Sequence, residues 1–281
     1  MSEGADTGQA EGKADLHIHT AHGDGMAEMP ELLDYVEQNT NLDAIAVTDH
    51  DDIRGGLQAR ELWAKGRYRF QVIVGAEVTA IQGHVLALFV EEPIPGLRPV
   101  EETLEAIHRQ GGLCIIPHPL AFLTRSIGQR TLERIVAAER AQTQTESRAA
   151  RVAGARLGNG VYFDGIELGN GTFAARMSAG KARWLNRERY HLAEVGGSDA
   201  HFLKAVGTAY TLFPGSTAQD LRRAILERRT AAATGHHPTL RELGLRQVLR
   251  QTWRGLMVTP RTMGWGPTAK SFVQRIFPFV R

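Results

Sequence analysis

The sequence predicts an α/β fold: a (β/α) barrel of seven strands followed by a basic extension. Three observations carry that expectation. Seven short, mostly apolar runs recur between residues 14 and 198, and runs that are apolar on both faces suit a buried parallel sheet. Amphipathic segments of helical period separate several of them, and such alternation implies parallel strands joined by right-handed crossovers. No G-x-G-x-x-G follows the first run, so an open dinucleotide-binding sheet lacks its usual phosphate-binding turn.

Residues 1–13 are small and polar and read as a disordered tail, without the apolar stretch of a signal peptide. Strands are expected at 14–19 (ADLHIH), 43–48 (DAIAVT), 70–77 (FQVIVGAE), 84–90 (HVLALFV), 112–117 (GLCIIP), 164–169 (DGIELG) and 192–198 (LAEVGGS). A helix over 30–38 starts at a proline and puts Leu32, Leu33 and Val36 on one face. A second, over 99–110, opens with proline and acids and stops before Gly111 and Gly112. Further helices are expected over 131–150 and 172–189, and Ser216 or Thr217 can cap one running to 228. Residues 141–160, rich in Gln, Thr, Ala and Arg, read as an elaborated connection. The barrel domain is therefore expected over 14–235 and the extension over 236–281.

Composition narrows the chemistry. No apolar run approaches the roughly 18 residues of a membrane-spanning helix, so a soluble, cytoplasmic protein is expected. The single cysteine, Cys114, sits in an apolar run and reads as a core residue. Disulfide frameworks and thiolate zinc sites are excluded, so any metal must be held by imidazole and carboxylate. Charge is uneven: residues 241–281 hold eight bases against one acid, leaving 25 bases and 30 acids in residues 1–240. An acidic body thus carries a basic tail in which Trp253, Trp265, Phe272, Phe277 and Phe279 are interleaved. Such a tail can pack on the barrel with its arginines in water, dock on a partner or an anionic membrane, or bind single-stranded nucleic acid. The acidic body speaks against a broad nucleic-acid groove.

The metal-binding residue types fall at one place in the strand rhythm. The first strand gives His17 and His19, with Asp24 in the loop after it; the second gives Asp49 and His50; the third ends in Glu77; the fifth gives His118; the seventh is followed by Asp199 and His201. His84 starts the fourth run and reaches the same end if that strand is antiparallel or bent. In a (β/α) barrel the C-terminal strand ends form one face, so these groups converge. Spacing of two residues in a strand points His17 and His19 the same way, and a carboxylate such as Glu77 can bridge two ions. Six histidines and three carboxylates are too many for one ion with open positions, so two or three metals are implied. His22 is a candidate ligand or substrate contact. Asp49 is a candidate for orienting a ligand from behind, and Asp51 or Asp52 for capping a helix. His108, His191, His236 and His237 fall outside the pattern.

The set DLHIHT with DG after it, TDHD, GAE with GH following, IPHP and GSDAH, in that order, resembles the PHP (polymerase and histidinol phosphatase) family of metal-dependent phosphoesterases. The resemblance covers roughly residues 14–235. It implies a distorted seven-stranded (β/α) barrel with two or three divalent ions at the strand ends, held by His17, His19, Asp24, His50, Glu77, His84, His118, Asp199 and His201, with Glu77 bridging. Members often have Ser or Ala where this chain has His22 and Gly23. Imidazole with carboxylate suits Mn, Fe or Zn.

The function expected is hydrolysis of a phosphate monoester, such as a nucleotide or sugar phosphate, by attack of metal-bound hydroxide at a di- or trinuclear site. Asp199, His201 and His22 are candidates to protonate the leaving oxygen, and Arg125 to hold the phosphate. Arg176 and Lys181 are weaker candidates for that cation, and Glu167 and Asn170 are expected to line the pocket. The alternatives are a nuclease acting on oligonucleotide ends and, from another class, a noncatalytic metal-binding scaffold.

Overall fold

The computed structural model describes residues 11–122, 124–145 and 160–257. Among the described residues the sheet has nine strands, not seven, in the order β7-β6-β5-β4-β3-β2-β1-β8-β9. Seven of them fall on the expected runs: β1 (Glu11–Ile18), β2 (Ala44–Val47), β3 (Gln71–Ala80), β4 (Gly83–Leu88), β5 (Leu113–Ile116), β6 (Gly165–Asn170) and β7 (Ala193–Gly197). The two extra strands are β8 (Ala209–Pro214) and β9 (Ala231–Thr234). β1 begins three residues earlier than expected, because Glu11 to Ala14 pair antiparallel with β8; polar residues are drafted into a strand by a partner that local pattern does not reveal.

The sheet is also mixed. β1, β2 and β3 are parallel, as are β5, β6 and β7. β4 runs antiparallel to both β3 and β5, while β8 and β9 are antiparallel additions beyond β1. The ends of the order meet: Ile18 bridges Ala200, just past β7, and the Gly196 N–H donates to Thr211 Oγ1 of β8 at 2.9 Å. The result is a nearly closed, distorted barrel.

Helices fill the crossovers: α1 (Met29–Asn39), α2 (Arg54–Lys65), α3 (Val100–Arg109), α4 (Gln129–Thr145), α5 (Phe173–Leu185) and α6 (Ala218–Leu226). Thr217 caps α6 in a capping box with Asp220. A π-helical turn, Asn186–Tyr190, extends α5 and ends at His191 in the left-handed conformation. Leu221, Ala224 and Ile225 of α6 join Ala14, Leu113, Ala193 and Phe213 in one apolar cluster. That cluster closes the end of the barrel opposite the C-terminal ends of the parallel strands.

α2 has no counterpart among the expected helices. Its first turn contains Gly55 and Gly56, each unfavourable in a helix by about 1 kcal/mol relative to alanine. The reason for Gly55 is steric: a Cβ there would lie 2.1 Å from Asp49 Oδ2. The helix gives up propensity so that Asp49 can stand behind the metal-loop residues. Asp52 accepts from the Arg54 N–H at 2.8 Å and so serves the α2 terminus, whereas Asp51 binds Thr79 through N–H and Oγ1, each at 2.7 Å, and ties β2 to β3.

After β9 come α7 (Leu240–Leu243) and α8 (Leu245–Met257). Leu245, Leu249, Trp253 and Leu256 of α8 are 60–63% exposed. Packing of the apolar face on the barrel, one of the alternatives open for the tail, does not hold for α8: its half-buried residues are Val248, Gln251, Arg254, Gly255 and Met257. Most of the polar N-terminal tail, most of the 141–160 connection and residues 258–281, with Trp265, Phe272, Phe277 and Phe279, lie outside the described residues.

Candidate metal centre

Each of the nine candidate ligands is carried to the same end of the barrel. β1 and the residue after it deliver His17 and His19. The stretch after β2 delivers His50, which forms an isolated parallel bridge with Glu77. β3 and β4 form a tight hairpin whose register pairs Thr79 with His84. Antiparallel β4 thus brings His84 back beside Glu77, although it lies at the start of its strand. His118 follows β5, and Asp199 and His201 follow β7.

Glu77 is the centre of the cluster. Its Oε1 lies 2.7 Å from His84 Nδ1 and 2.9 Å from His118 Nε2. Its Oε2 lies 3.2 Å from His17 Nε2, 3.2 Å from His50 Nδ1 and 3.3 Å from His19 Nε2. Asp199 Oδ1 is 3.3 Å from His19 Nε2, 3.6 Å from His17 Nε2 and 3.7 Å from His201 Nδ1. Asp24 Oδ2 is 3.3 Å from His201 Nε2. Four overlapping groups of metal-type donors result: His19, Asp24, His50 and His201; His17, His19 and Glu77; His17, His118 and Asp199; and His50, Glu77 and His84.

Residues behind the cluster set the imidazole tautomers. His17 Nδ1 donates to Glu167 Oε1 at 3.0 Å, since a carboxylate can only accept. The Nε2 lone pair of His17 then faces Glu77 Oε2 and, at 3.1 Å, His19 Nε2. Ser126 Oγ donates to the His118 carbonyl at 2.6 Å, so it accepts from His118 Nδ1 at 2.9 Å. The Nε2 lone pair of His118 likewise faces Glu77. Glu167 Oε2 also accepts from the His118 N–H and from Asn170 Nδ2, both at 2.7 Å. The room for this carboxylate comes from Gly197, where a Cβ would stand 2.5 Å from His17 Cβ and 2.8 Å from Glu167 Oε1.

Two further buried carboxylates hold the loops. Asp15 accepts from the Ser198 N–H and the Gly207 N–H at 2.8 Å and from Ser198 Oγ at 2.6 Å. Burial pushes its carboxyl up to about 6. Asp49 accepts from the Thr20 N–H at 2.6 Å and from Thr20 Oγ1 at 2.7 Å, pinning the start of the loop that carries Asp24.

Lone pairs facing a carboxylate repel it unless a cation lies between them. In the metal-free protein that cation is a proton. Burial works against the charge on His17, but Asp199, Glu77 and Glu167 outweigh it and raise its pKa well above the usual value. Burial also opposes His19, yet bonds to Asp199 and Glu77 raise it to about 10. His118 and His201 rise for the same reason, through Glu77 and Asp24 respectively. His50 goes the other way, lowered to about 3 by burial and then by the neighbouring His19 and His84. Against the cost of burial, His84, His50 and His17 hold the Glu77 carboxyl well below the usual range. Protons do not complete the site. His19 Nδ1, Asp24 Oδ1 and His50 Nδ1 are buried without a hydrogen-bond partner. Imidazole and carboxylate donors that converge with unmet valences fit divalent metal ions.

The other candidates stand apart. His22 Nε2 pairs with Gln58 Oε1 at 2.7 Å, and His22 joins none of the donor groups. The Arg125 side chain is exposed; its carbonyl accepts from the His84 N–H at 2.6 Å. Arg176 and Lys181 are exposed on α5. His108 pairs with the Gly160 carbonyl and with Asp164, next to buried Cys114. Sequence reasoning missed Arg254, whose Nη2 donates to the carbonyls of Ala21 and Gly23, both at 2.8 Å. A Cβ on its neighbour Gly255 would lie 3.2 Å from Asp24 Oδ2, so α8 abuts the ligand loop. No local signal marks a long-range contact of an arginine within a basic tail.

Fold and site together define a distorted α/β barrel with a cluster of metal-type donors at its strand ends. Residues 184–230 match the family model described as PHP-associated. An uncharacterized protein of Methanocaldococcus jannaschii is 38% identical over 132 residues, 43% of this chain and 75% of that protein. A solved two-domain protein from Bacteroides vulgatus, described as containing a predicted PHP-like metal-dependent phosphoesterase, superposes with a TM-score of 0.60 at 21% identity, over 82% of this chain and 66% of that one. This chain therefore spans just under two thirds of that protein. PsfC from Pseudomonas syringae superposes with a TM-score of 0.58 at 19% identity, over 86% of this chain and 99% of that one. At these identities the two structures speak for the fold. In its 184–230 match and in its fold this chain is similar to PHP-like proteins.

Proposed function

We propose that this protein is a metal-dependent phosphoesterase that hydrolyses a phosphate monoester, a nucleotide or sugar phosphate, with His17, His19, Asp24, His50, Glu77, His84, His118, Asp199 and His201 as metal ligands. One observation carries the reading: a buried carboxylate, Glu77, has five imidazole nitrogens within 2.7–3.3 Å of its two oxygens. Two or three divalent ions, when bound, supply Lewis acidity to a phosphoryl group and activate water for its attack. The rest is work for this chain's own atoms. Glu167 and Ser126 hold His17 and His118 with Nε2 free of a proton. Glu77 presents one oxygen to His84 and His118 and the other to His17, His19 and His50, an arrangement suited to a bridging carboxylate. His201, the most exposed of the nine at 17% of its side chain, is where substrate first meets the cluster. Asp199 and His201 are our candidates to hold the proton that the leaving oxygen takes up, with His22 at the loop edge. Arg125 is exposed beside the His84 anchor, free to approach a bound phosphate.

The test is elemental analysis of untagged protein, then phosphate release from nucleoside monophosphates, sugar phosphates and short oligonucleotides. Two to three metals per chain with release from a monoester is the expected outcome. Release from oligonucleotide ends alone would replace the phosphatase with a nuclease. Tightly bound metal with no release from any of them would favour a metal-binding scaffold.

A further inference from the structure

An amphipathic helix on a protein surface ordinarily turns its apolar stripe toward the core. α8 does the reverse. Leu245, Leu249, Trp253 and Leu256 recur at helical spacing on its outer side, at 60–63% exposure, and Leu240 of α7 is 56% exposed nearby. Arg246 and Arg250 are exposed on the same helix. The half-buried side is anchored by polar and small residues: Arg254 bonds the carbonyls of Ala21 and Gly23, and Gly255 lies against Asp24. The helix is therefore held in place through its polar side while a leucine-tryptophan stripe stays uncovered.

Charge identifies what covers it. After Glu242 the chain carries seven bases (Arg246, Arg250, Arg254, Arg261, Lys270, Arg275 and Arg281) and no acid. A second copy of this helix would bring arginines against arginines across a two-fold contact. Residues 258–281 add four more bases and no acid, which strengthens the attraction to an anionic surface. A nucleic acid would pair with the arginines but has no counterpart for a row of leucines. An anionic lipid surface satisfies both: its headgroups attract the bases and its acyl boundary takes the leucines and the indole. The described part of the helix is amphipathic, with arginines beside the apolar stripe, which suits the plane of a bilayer surface rather than its interior. No described helix is long and apolar enough to cross one.

We propose that α8 seats the protein on an anionic membrane surface, with Leu245, Leu249, Trp253 and Leu256 in the interfacial region and Arg246 and Arg250 among the headgroups. The test is co-sedimentation of the full chain with phosphatidylcholine vesicles, with and without phosphatidylglycerol, at low and high salt. The expected result is pelleting with anionic vesicles, weaker by on the order of tenfold with neutral ones, and weakened by salt. The double substitution Leu249→Glu and Trp253→Glu should abolish pelleting while leaving the melting temperature and turnover of a soluble substrate unchanged, because both side chains are exposed. No pelleting of the full chain overturns the proposal. So does undiminished pelleting of the double variant. A dimer in vesicle-free solution that the double variant dissociates would assign the face to a second copy. Retention of a single-stranded oligonucleotide, lost in the same variant, would assign it to nucleic acid.

Discussion

Glu167 is the residue on which the tautomer argument turns, and Glu167→Gln isolates it. Its Oε2 accepts from two N–H donors, His118 and Asn170, while Oε1 accepts from His17 Nδ1. A glutamine of the same shape satisfies the two donors only by placing its carbonyl oxygen there. Its NH2 then faces His17 Nδ1, which must accept. The His17 proton moves to Nε2, the atom that faces Glu77 and His19, and the ring cannot ligate without breaking that arrangement. Losing a group that orients a metal-ligating histidine typically lowers metal affinity 10- to 100-fold, about 1.4–2.8 kcal/mol. Stability of the metal-free protein should fall by less than in the alanine variant: the His118 and Asn170 donors keep an acceptor, while the Glu167 charge that helps hold a proton on His17 is lost. Glu167→Ala should differ: it leaves the His118 and Asn170 donors unsatisfied, at about 1–3 kcal/mol each. The assay is metal competition against a chelator of known affinity, beside urea unfolding of the metal-free proteins. Wild-type metal affinity in Glu167→Gln would refute the reasoning.

Three further outcomes are expected. Asp199→Ala removes an oxygen that three imidazoles share, and should abolish phosphate release while the circular dichroism spectrum stays that of the wild type; normal turnover would sink the site assignment. In the metal-free protein the pKa of His17 is raised well above the usual value and that of His19 to about 10, so these two hold protons at neutral pH that a metal must displace; His118 and His201 shift in the same direction. Metal binding should therefore release protons and tighten as pH rises, which calorimetry in buffers of differing ionisation enthalpy reads directly; a buffer-independent enthalpy would contradict it. Asp15→Ala leaves the Ser198 and Gly207 amides without an acceptor and should destabilise the metal-free protein by about 3 kcal/mol. Since burial raises the Asp15 carboxyl to about 6 from 3.8 in the unfolded chain, its stabilising contribution is complete at low pH and is lost as pH rises through 6. The gap between wild type and variant in urea titrations should narrow in that direction, and a widening gap would reverse the assignment.

Much of the centre was legible because a buried strand end is one of the few places where polar residues stand out against an apolar run. His17, His19, His50, Glu77, His118, Asp199 and His201 are marked by position alone. His84 is legible only with the thought that its strand might run backwards, which β4 does. The residues that hold those ligands were less visible. Asp15 and Asp49 sit beside histidines and look like more of the same pattern, and the grip of Glu167 on His17 spans 150 positions along the chain. β9, AAAT, has little strand propensity and exists because β8 offers it an edge. α2 hides behind two glycines. In α8, leucines and a tryptophan recur at helical spacing over 240–258, but that pattern does not show which side faces inward, because Arg254 outweighs four apolar side chains by finding two carbonyls.

The β3–β4 hairpin has a consequence of a different kind. Between Ala80 and Gly83 only Ile81 and Gln82 intervene, and this short turn sets Thr79 opposite His84. Side chains alternate strictly along a strand, so a slip of one residue would swing His84 to the far side of the sheet and leave Glu77 with one imidazole fewer. The length of a two-residue turn thus decides whether His84 stands beside Glu77 at all. Lengthening it by one residue should withdraw His84 from the cluster without substituting any candidate ligand, and a change in metal content of that variant would report it.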